Sequence, residues 1–190
     1  MAILTSTNFS GLITPRFFKN FFPVPPTSTV QVGNRAPSFE LPDIRNQTTF
    51  NLEKTLQSYG EGRTEEDKGD RKLLLAFTRI FTEHQYCPFC YPHILALNMA
   101  YEELQSHGID VVMITSTDNS QSEIVVRDLI LNMPLLSDPS CQTFRQYQVG
   151  QALGAPLPAQ FLINASGTIQ FRHLFSFIEP NANVERLLAL

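Results

Sequence analysis

Cys87 and Cys90 stand in the segment Tyr86-Cys87-Pro88-Phe89-Cys90, and two thiols at this spacing can exchange with disulfides, ligate a metal or lie inert. Tyr91, where a haem-attachment motif needs histidine, excludes covalent haem. His84, Cys87, Cys90 and His93 follow one another at intervals of three and raise a zinc site. Four ligands strung along one helical stripe cannot readily close a tetrahedron, which favours redox chemistry. The metal reading is set aside, and no cofactor is called for.

The pair is preceded by an apolar run and followed by a helical pattern. That arrangement puts Cys87 near an N-cap and Pro88 at the first helical position, where its fixed φ and missing N–H are no handicap. Free amides and the positive helix end favour the thiolate of Cys87, while Cys90, one turn further in, keeps its proton. Cys87 is therefore read as the attacking thiol and Cys90 as the resolving one. Lowering a thiol pKa from about 8.5 to about 6.5 raises the thiolate fraction at neutral pH from roughly 3% to roughly 75%, but weaker nucleophilicity takes back about eightfold. Most of any rate must then come from holding the reacting atoms in line and stabilising the charge that develops. Candidate groups are the amides of the turn, Thr82, His84, Arg79 and Arg127. Arg127, between Val126 and Leu129 on an amphipathic helix, is either a surface cation or an anion-stabilising group. Cys141 reads as a small buried hydrophobe or a more distant resolving thiol, and His173 as a hydrogen-bonded strand residue.

The elements that must position these groups are legible in outline. Residues 72–78 (KLLLAFT) form a continuous apolar run, as a central strand buried on both faces requires, and 110–115 (DVVMIT) form a second. Residues 88–107 read as one helix, kinked at Pro92 and closed by Gly108. Residues 120–132 read as a helix with Ser120 and Glu123 in capping-box spacing, and 139–147 as a shorter one. Residues 160–164 and 168–171 make a hairpin, and a last helix starts near Asn183. Edge strands lie around Phe39 to Leu41 and Thr48 to Phe50. Alternation of strand and helix gives an α/β chain whose mixed sheet is largely parallel at its centre, with helices on both faces.

The chain divides at about residue 30. Before it, Thr14-Pro15-Arg16 starts a short helix whose Phe17, Phe18 and Phe21 share one face, and Pro23 stops it. Two turns are too few to stand alone, so those rings should be buried on the chain's own domain or on a twin subunit in a homodimer, the alternative being a membrane-surface or targeting role. Residues 60–71 are rich in charge and glycine and read as the most mobile internal loop.

Composition bounds the rest. The 190 residues include 18 acids against 14 bases, a net charge of −4, so nucleic acid is an unsuitable partner. Three cysteines do not make a disulfide framework, and no apolar stretch is long enough to span a bilayer. These features lead to the expectation of a soluble cytoplasmic protein without a membrane partner.

Several motifs in one order resemble the thioredoxin superfamily, and within it the peroxiredoxin-like proteins of the alkyl hydroperoxide reductase and thiol-specific antioxidant (AhpC/TSA) type. They are Pro37-Ser38-Phe39-Glu40-Leu41-Pro42, Tyr86-Cys87-Pro88-Phe89-Cys90, Pro134-Leu135-Leu136-Ser137-Asp138-Pro139 and Leu157-Pro158-Ala159-Gln160-Phe161-Leu162-Ile163-Asn164, spanning about residues 30–178. The resemblance implies a thioredoxin-like three-layer fold over residues 31–190. It also implies a cis-proline at Pro158 opposite the cysteines, a peroxide or disulfide substrate, and recycling by thioredoxin or a similar dithiol donor. The chain departs from that pattern at His84, where the family carries threonine, with Thr82 two residues further off, and it lacks an evident match to the family's arginine near the late strand. A redox-regulated binding module, in which oxidation of the pair switches a partner, is the competing class.

Overall fold

The computed structural model describes residues 13–27, 29–60 and 71–190. The chain forms helix α1 (Pro15–Lys19), strands β1 (Glu40–Asp43) and β2 (Thr48–Asn51), helix α2 (Leu52–Ser58), and strands β3 (Lys72–Phe77), β4 (Ile80–Thr82) and β5 (Gln85–Tyr86). Helices α3 (Tyr91–Met99) and α4 (Tyr101–Ser106), strand β6 (Ile109–Thr115), helix α5 (Asn119–Asp128), strand β7 (Leu135–Ser137) and helix α6 (Gln142–Gln146) follow. The chain ends with β8 (Gln151–Ala152), β9 (Ala155–Pro156), β10 (Ala159–Asn164), β11 (Ile169–Leu174) and α7 (Val184–Leu188).

Seven strands form one sheet in the order β11-β10-β3-β6-β7-β1-β2. The centre, β3, β6 and β7, is parallel, and the two flanks are antiparallel. Residues 73–77 are all buried, because β3 has a helical layer on either face. Leu73, Leu75 and Phe77 point into a layer with Leu52, Leu56, Phe144 and Tyr147. Leu74 and Ala76 point into the other, with Ile94, Leu97, Leu104, Val125 and Leu187. Cys87 and Cys90 belong to this second layer, whereas Cys141 belongs to the first.

The helix after the cysteines differs from its sequence reading. It begins at Tyr91 with Cys90 as N-cap, so Pro88 and Cys87 lie in the preceding turn. Pro92 is in the first turn, where the N–H it lacks would have no intrahelical partner, and it causes no kink. The break comes at Ala100, which ends α3 and starts α4. Helix α5 is capped by Asp118 and Gln121, a reciprocal pair set two residues ahead of Ser120 and Glu123, and ends at Asp128.

Two small hairpins, β4–β5 and β8–β9, hang from the sheet edge where β3 ends and β10 begins, Phe77 being paired with Ala159. The N-terminal segment clasps both. Val24 exchanges two hydrogen bonds of 2.8 Å with Gln151, and Arg16 donates to the carbonyls of Phe81 and Ser116. Phe17 packs against Gly154, but Phe18 and Phe22 are 64% and 76% exposed and Phe21 is also exposed. The expected burial of Phe18 and Phe21 therefore does not occur on this chain, because one turn and a half offers only one inward position. The loop at residues 60–71 falls almost wholly outside the described residues.

Candidate functional site

The site is made by a detour in the chain. After β3 the backbone turns out at Thr78 and Arg79, runs through β4–β5 and returns at Cys87, whose N–H donates to the Arg79 carbonyl at 3.3 Å. Residues eight apart in sequence thus become cross-strand neighbours. Arg79 is buried at 8% exposure, with its guanidinium stacked 4.7 Å from the Phe81 ring centroid and Nη2 donating to the carbonyls of Ala152 and Leu153. Its charge also favours the thiolate of Cys87. Among the described residues no carboxylate pairs with it. Burial lowers its pKa, and the two thiols beside it act in the opposite sense. The adjacent negative charge available to this cation is a thiolate.

The turn from Cys87 to Cys90 closes through the Cys87 carbonyl, which accepts from the N–H groups of Cys90 (2.9 Å) and Tyr91 (3.0 Å). In this curled turn the backbone of Phe89 and Cys90 and the Cys90 thiol all favour charge on the Cys87 sulfur. The hydrogen bond from Cys90 is the largest influence on Cys87; burial opposes it, and the two amides and Arg79 add to it. Together they bring Cys87 down to about 6. The same hydrogen bond and burial push Cys90 far up. The two thiols are driven apart in pKa first by each other and by burial, not by a helix end. Both sulfurs are secluded, with Cys87 3% and Cys90 1% exposed.

Other expected groups are placed elsewhere. Thr82 and His84 form the tip of β4–β5, where Thr82 Oγ1 accepts from the His84 N–H at 3.3 Å, and no hydrogen bond joins either to a thiol. Arg127 is 72% exposed and pairs with Asp128 at 3.0 Å, a surface cation. Pro158 is buried just before β10, but among the described residues there is no cis peptide bond. The β8–β9 hairpin already turns the chain, the Leu157 N–H is held by the Gly150 carbonyl at 3.0 Å, and an extended trans entry into β10 needs no isomer that costs more. Cys141 is held in the opposite layer, where Asn20 Nδ2 approaches its sulfur at 3.7 Å and burial pushes its pKa up. It neither neighbours the pair nor is activated. His173 is buried and hydrogen-bonded to the Glu179 carbonyl at 2.9 Å, as its strand position suggested. His93 turns to Gln160 at 3.2 Å, away from any shared ligand sphere with the thiols.

Arg79 was one candidate among several in the sequence, and only the β4–β5 hairpin singles it out. An alternation signal existed, because the sequence from Ile80 to Tyr86 carries apolar or aromatic residues at both ends of a polar Thr-Glu-His-Gln centre.

A mixed sheet with a parallel centre, helices on both faces and a two-cysteine turn leading into a helix defines a thioredoxin-like fold. The chain belongs to the AhpC/TSA family, whose model matches residues 32–172, and membership makes it a thiol-dependent oxidoreductase. Among solved structures it is similar to the peroxidoxin BcpB from Mycobacterium tuberculosis, at 20% identity and a TM-score of 0.66 over 84% of this chain and 95% of that one. It is also similar to the reduced 2-Cys peroxiredoxin of Plasmodium vivax, at 18% identity and a TM-score of 0.66 over 85% and 79%. A third is the peroxiredoxin-like protein from Aquifex aeolicus, at 16% identity and a TM-score of 0.62 over 86% of each chain. No curated protein sequence matches the chain. No helix of the described residues is long and apolar enough to cross a membrane.

Proposed function

We propose that the chain reduces peroxides through Cys87 and Cys90, with a dithiol donor such as thioredoxin resetting the pair. The observation that carries this reading is the buried Arg79, without a carboxylate partner among the described residues, whose carbonyl accepts from the Cys87 N–H at 3.3 Å beside two buried thiols of one turn. The Cys87 thiolate attacks one peroxide oxygen, the O–O bond breaks, and the leaving oxygen departs as an alcohol or water after taking a proton. Cys87 is left as a sulfenic acid. The Cys90 sulfur then displaces the hydroxyl as water, and the intramolecular disulfide accepts two electrons and two protons from the donor dithiol.

A secluded Cys87 favours a small oxidant. Two buried polar atoms also lie without partners at this bend, Arg79 Nε and Thr78 Oγ1. Strand alternation turns Thr78 to the same face as Ala76, which packs with the cysteines. They are free to hold oxygen.

A second reading, reduction of disulfides in other proteins, is favoured by the aromatic rim. Phe89, between the cysteines, is half exposed and touches Phe175, which touches the exposed Phe177. In either reading a reducing compartment such as the cytoplasm suits a pair that must be reset.

Mass spectrometry after stoichiometric hydrogen peroxide tests the proposal. The wild type should lose two hydrogens, Cys90→Ser should gain one oxygen and stall, and Cys87→Ser should do neither. Peroxide consumption coupled to thioredoxin should follow the same order. An unaltered dithiol in peroxide, together with rapid oxidation by a protein disulfide, would replace the first reading with the second.

A further inference from the structure

Gln160 is fully buried on β10 and takes part in a chain of side-chain amides that ends on the cysteine turn. Its Oε1 accepts from the Ala182 N–H at 3.0 Å, and its Nε2 lies 2.9 Å from Asn181 Oδ1 and 3.2 Å from His93 Nε2. Asn181 Nδ2 in turn lies 3.0 Å from the Phe89 carbonyl. The polarity of this chain is fixed at both ends by backbone groups with no choice. The Ala182 N–H can only donate, so Gln160 must present Oε1 to it and Nε2 to Asn181 and His93. The Phe89 carbonyl can only accept, so Asn181 must present Nδ2 to it and Oδ1 to Gln160. His93 Nε2, facing an amide donor, must be an unprotonated acceptor. The two ends agree, and neither amide can flip without leaving a donor against a donor.

The carbonyl at the end of this chain belongs to the peptide that joins Phe89 to Cys90. The N–H of that same peptide donates to the Cys87 carbonyl at 2.9 Å and so closes the turn on the nucleophile. A donor on the carbonyl withdraws charge from the peptide and strengthens its N–H as a donor on the other side, as linked hydrogen bonds polarise one another. It also anchors the turn, because Asn181 ties the loop before α7 to a residue lying between the cysteines.

We propose that Asn181 is a positioning residue for the nucleophile: through the Phe89 carbonyl it orients and polarises the peptide whose N–H closes the turn on the Cys87 carbonyl, and Gln160 sets the direction in which Asn181 points. The inference rests on Cys87 being the attacking thiol. Asn181 lies in a loop and is only half-buried, so its replacement should be tolerated by the fold.

The test is the pH dependence of Cys87 in the full reduced chain, read by thiolate absorbance and by the rate of iodoacetamide alkylation, with unfolding followed in parallel. Asn181→Ala should raise the midpoint by about half a pH unit, since the turn that seats the sulfur is loosened rather than opened. Asn181→Asp, of nearly the same shape but without the donor and with a charge opposing the thiolate, should raise it further. Ser176→Ala loosens the same loop by removing the bonds of Ser176 Oγ with Glu179, without touching the amide chain, and should leave the midpoint in place. Unchanged midpoints in both Asn181 variants, or an equal rise in Ser176→Ala, would overturn the proposal. If Cys87→Ser kept the low-midpoint thiol, the fault would lie with the assignment of the nucleophile instead.

Discussion

The Cys87 N–H donates to the Arg79 carbonyl at 3.3 Å while the Arg79 guanidinium favours the charged form of the Cys87 thiol, so one residue acts on both the backbone and the charge of the other. The guanidinium is in turn held by the carbonyls of Ala152 and Leu153 and by the face of Phe81, leaving it little freedom to follow the thiol if the thiol moves. Arg79→Gln should therefore raise the midpoint of Cys87 alkylation above about 6 by roughly one pH unit, one favourable charge having been removed. Arg79→Lys should restore it only in part, because an ammonium cannot serve both the sulfur and the two carbonyls in the fixed fork of a guanidinium. Alkylation rates from pH 5 to 9 decide this, and a midpoint unchanged in Arg79→Gln would show the cation to be structural.

Cys90 acts on Cys87 more strongly than Arg79 does, which separates two substitutions that look alike. Cys90→Ser keeps an O–H to donate, and Cys90→Ala keeps none. The midpoint for Cys87 should stay near about 6 in the serine variant and climb by more than one pH unit in the alanine variant. The serine variant would still arrest after one oxidation, because a hydroxyl cannot resolve a sulfenic acid. Equal midpoints in the two would assign the shift to the amides.

Thr82, His84 and Arg127 offer a prediction of no effect. The first two close the tip of β4–β5, and the third is an exposed ion pair worth about 0 to 1 kcal/mol. His84→Ala and Arg127→Ala should leave the Cys87 midpoint and peroxide turnover within a factor of about two of wild type. A tenfold loss in either would require a contact that forms only with substrate bound.

The contrast between these residues and Arg79 shows what a sequence can and cannot carry. The apolar runs at 72–78 and 110–115 announce central strands because burial on both faces leaves no polar position, and the pattern is local. The cysteine turn is likewise local. Which cation reaches the turn is not, since it depends on a hairpin of two residue pairs, Ile80 with Tyr86 and Thr82 with Gln85, whose alternation is too short to stand out. Proximity in sequence to Cys87 favoured Thr82 and His84; antiparallel return placed Arg79 opposite it instead. The amide chain from Gln160 to Phe89 joins residues of β10, α3 and the last loop, and no spacing rule connects them. Pro92 misled for a physical reason: a proline two residues into a helix and one in its middle look the same until the helix start is known.

His93 supplies a prediction about stability. Burial, with His173 nearby, lowers its pKa from 6.5 to about 4, and its Nε2 faces the Gln160 amide as an acceptor. The unfolded chain therefore binds a proton at higher pH than the folded chain does. Stability is fully present above about 6.5 and is lost progressively as the pH falls from 6.5 towards about 4, by on the order of 2 to 3 kcal/mol. His93→Gln removes the titration and should flatten that part of the profile. Asp110, paired with Arg71 at 2.7 Å and lowered from 3.8, loses its contribution only below that range, so the two can be told apart. Urea unfolding of wild type and variant at pH 7, 5.5 and 4.5 would settle it; parallel profiles would mean that His93 titrates alike in both states.

The last prediction concerns how the N-terminal segment is held. Gly150 has φ +82°, and a Cβ there would stand 2.7 Å from the Pro26 nitrogen and 2.7 Å from the Val24 carbonyl oxygen, both backbone atoms that cannot swing aside as a side chain would. The glycine is thus needed twice, for its left-handed conformation and for the close passage of residues 24–26 across it. Gly150→Ala should cost about 1 to 3 kcal/mol and lift the segment from the β8–β9 hairpin. With it would go the Val24–Gln151 pair and the seat of Arg16 on the Phe81 carbonyl, the ring of Phe81 being the one on which Arg79 rests. Limited proteolysis should then cut within residues 13–27 at least tenfold faster than in wild type, as a loss of that size implies for local opening. The Cys87 midpoint should rise as Arg79 loosens. Cleavage at the wild-type rate in a variant destabilised as stated would show that the strain is absorbed within the hairpin and that the segment stays in place.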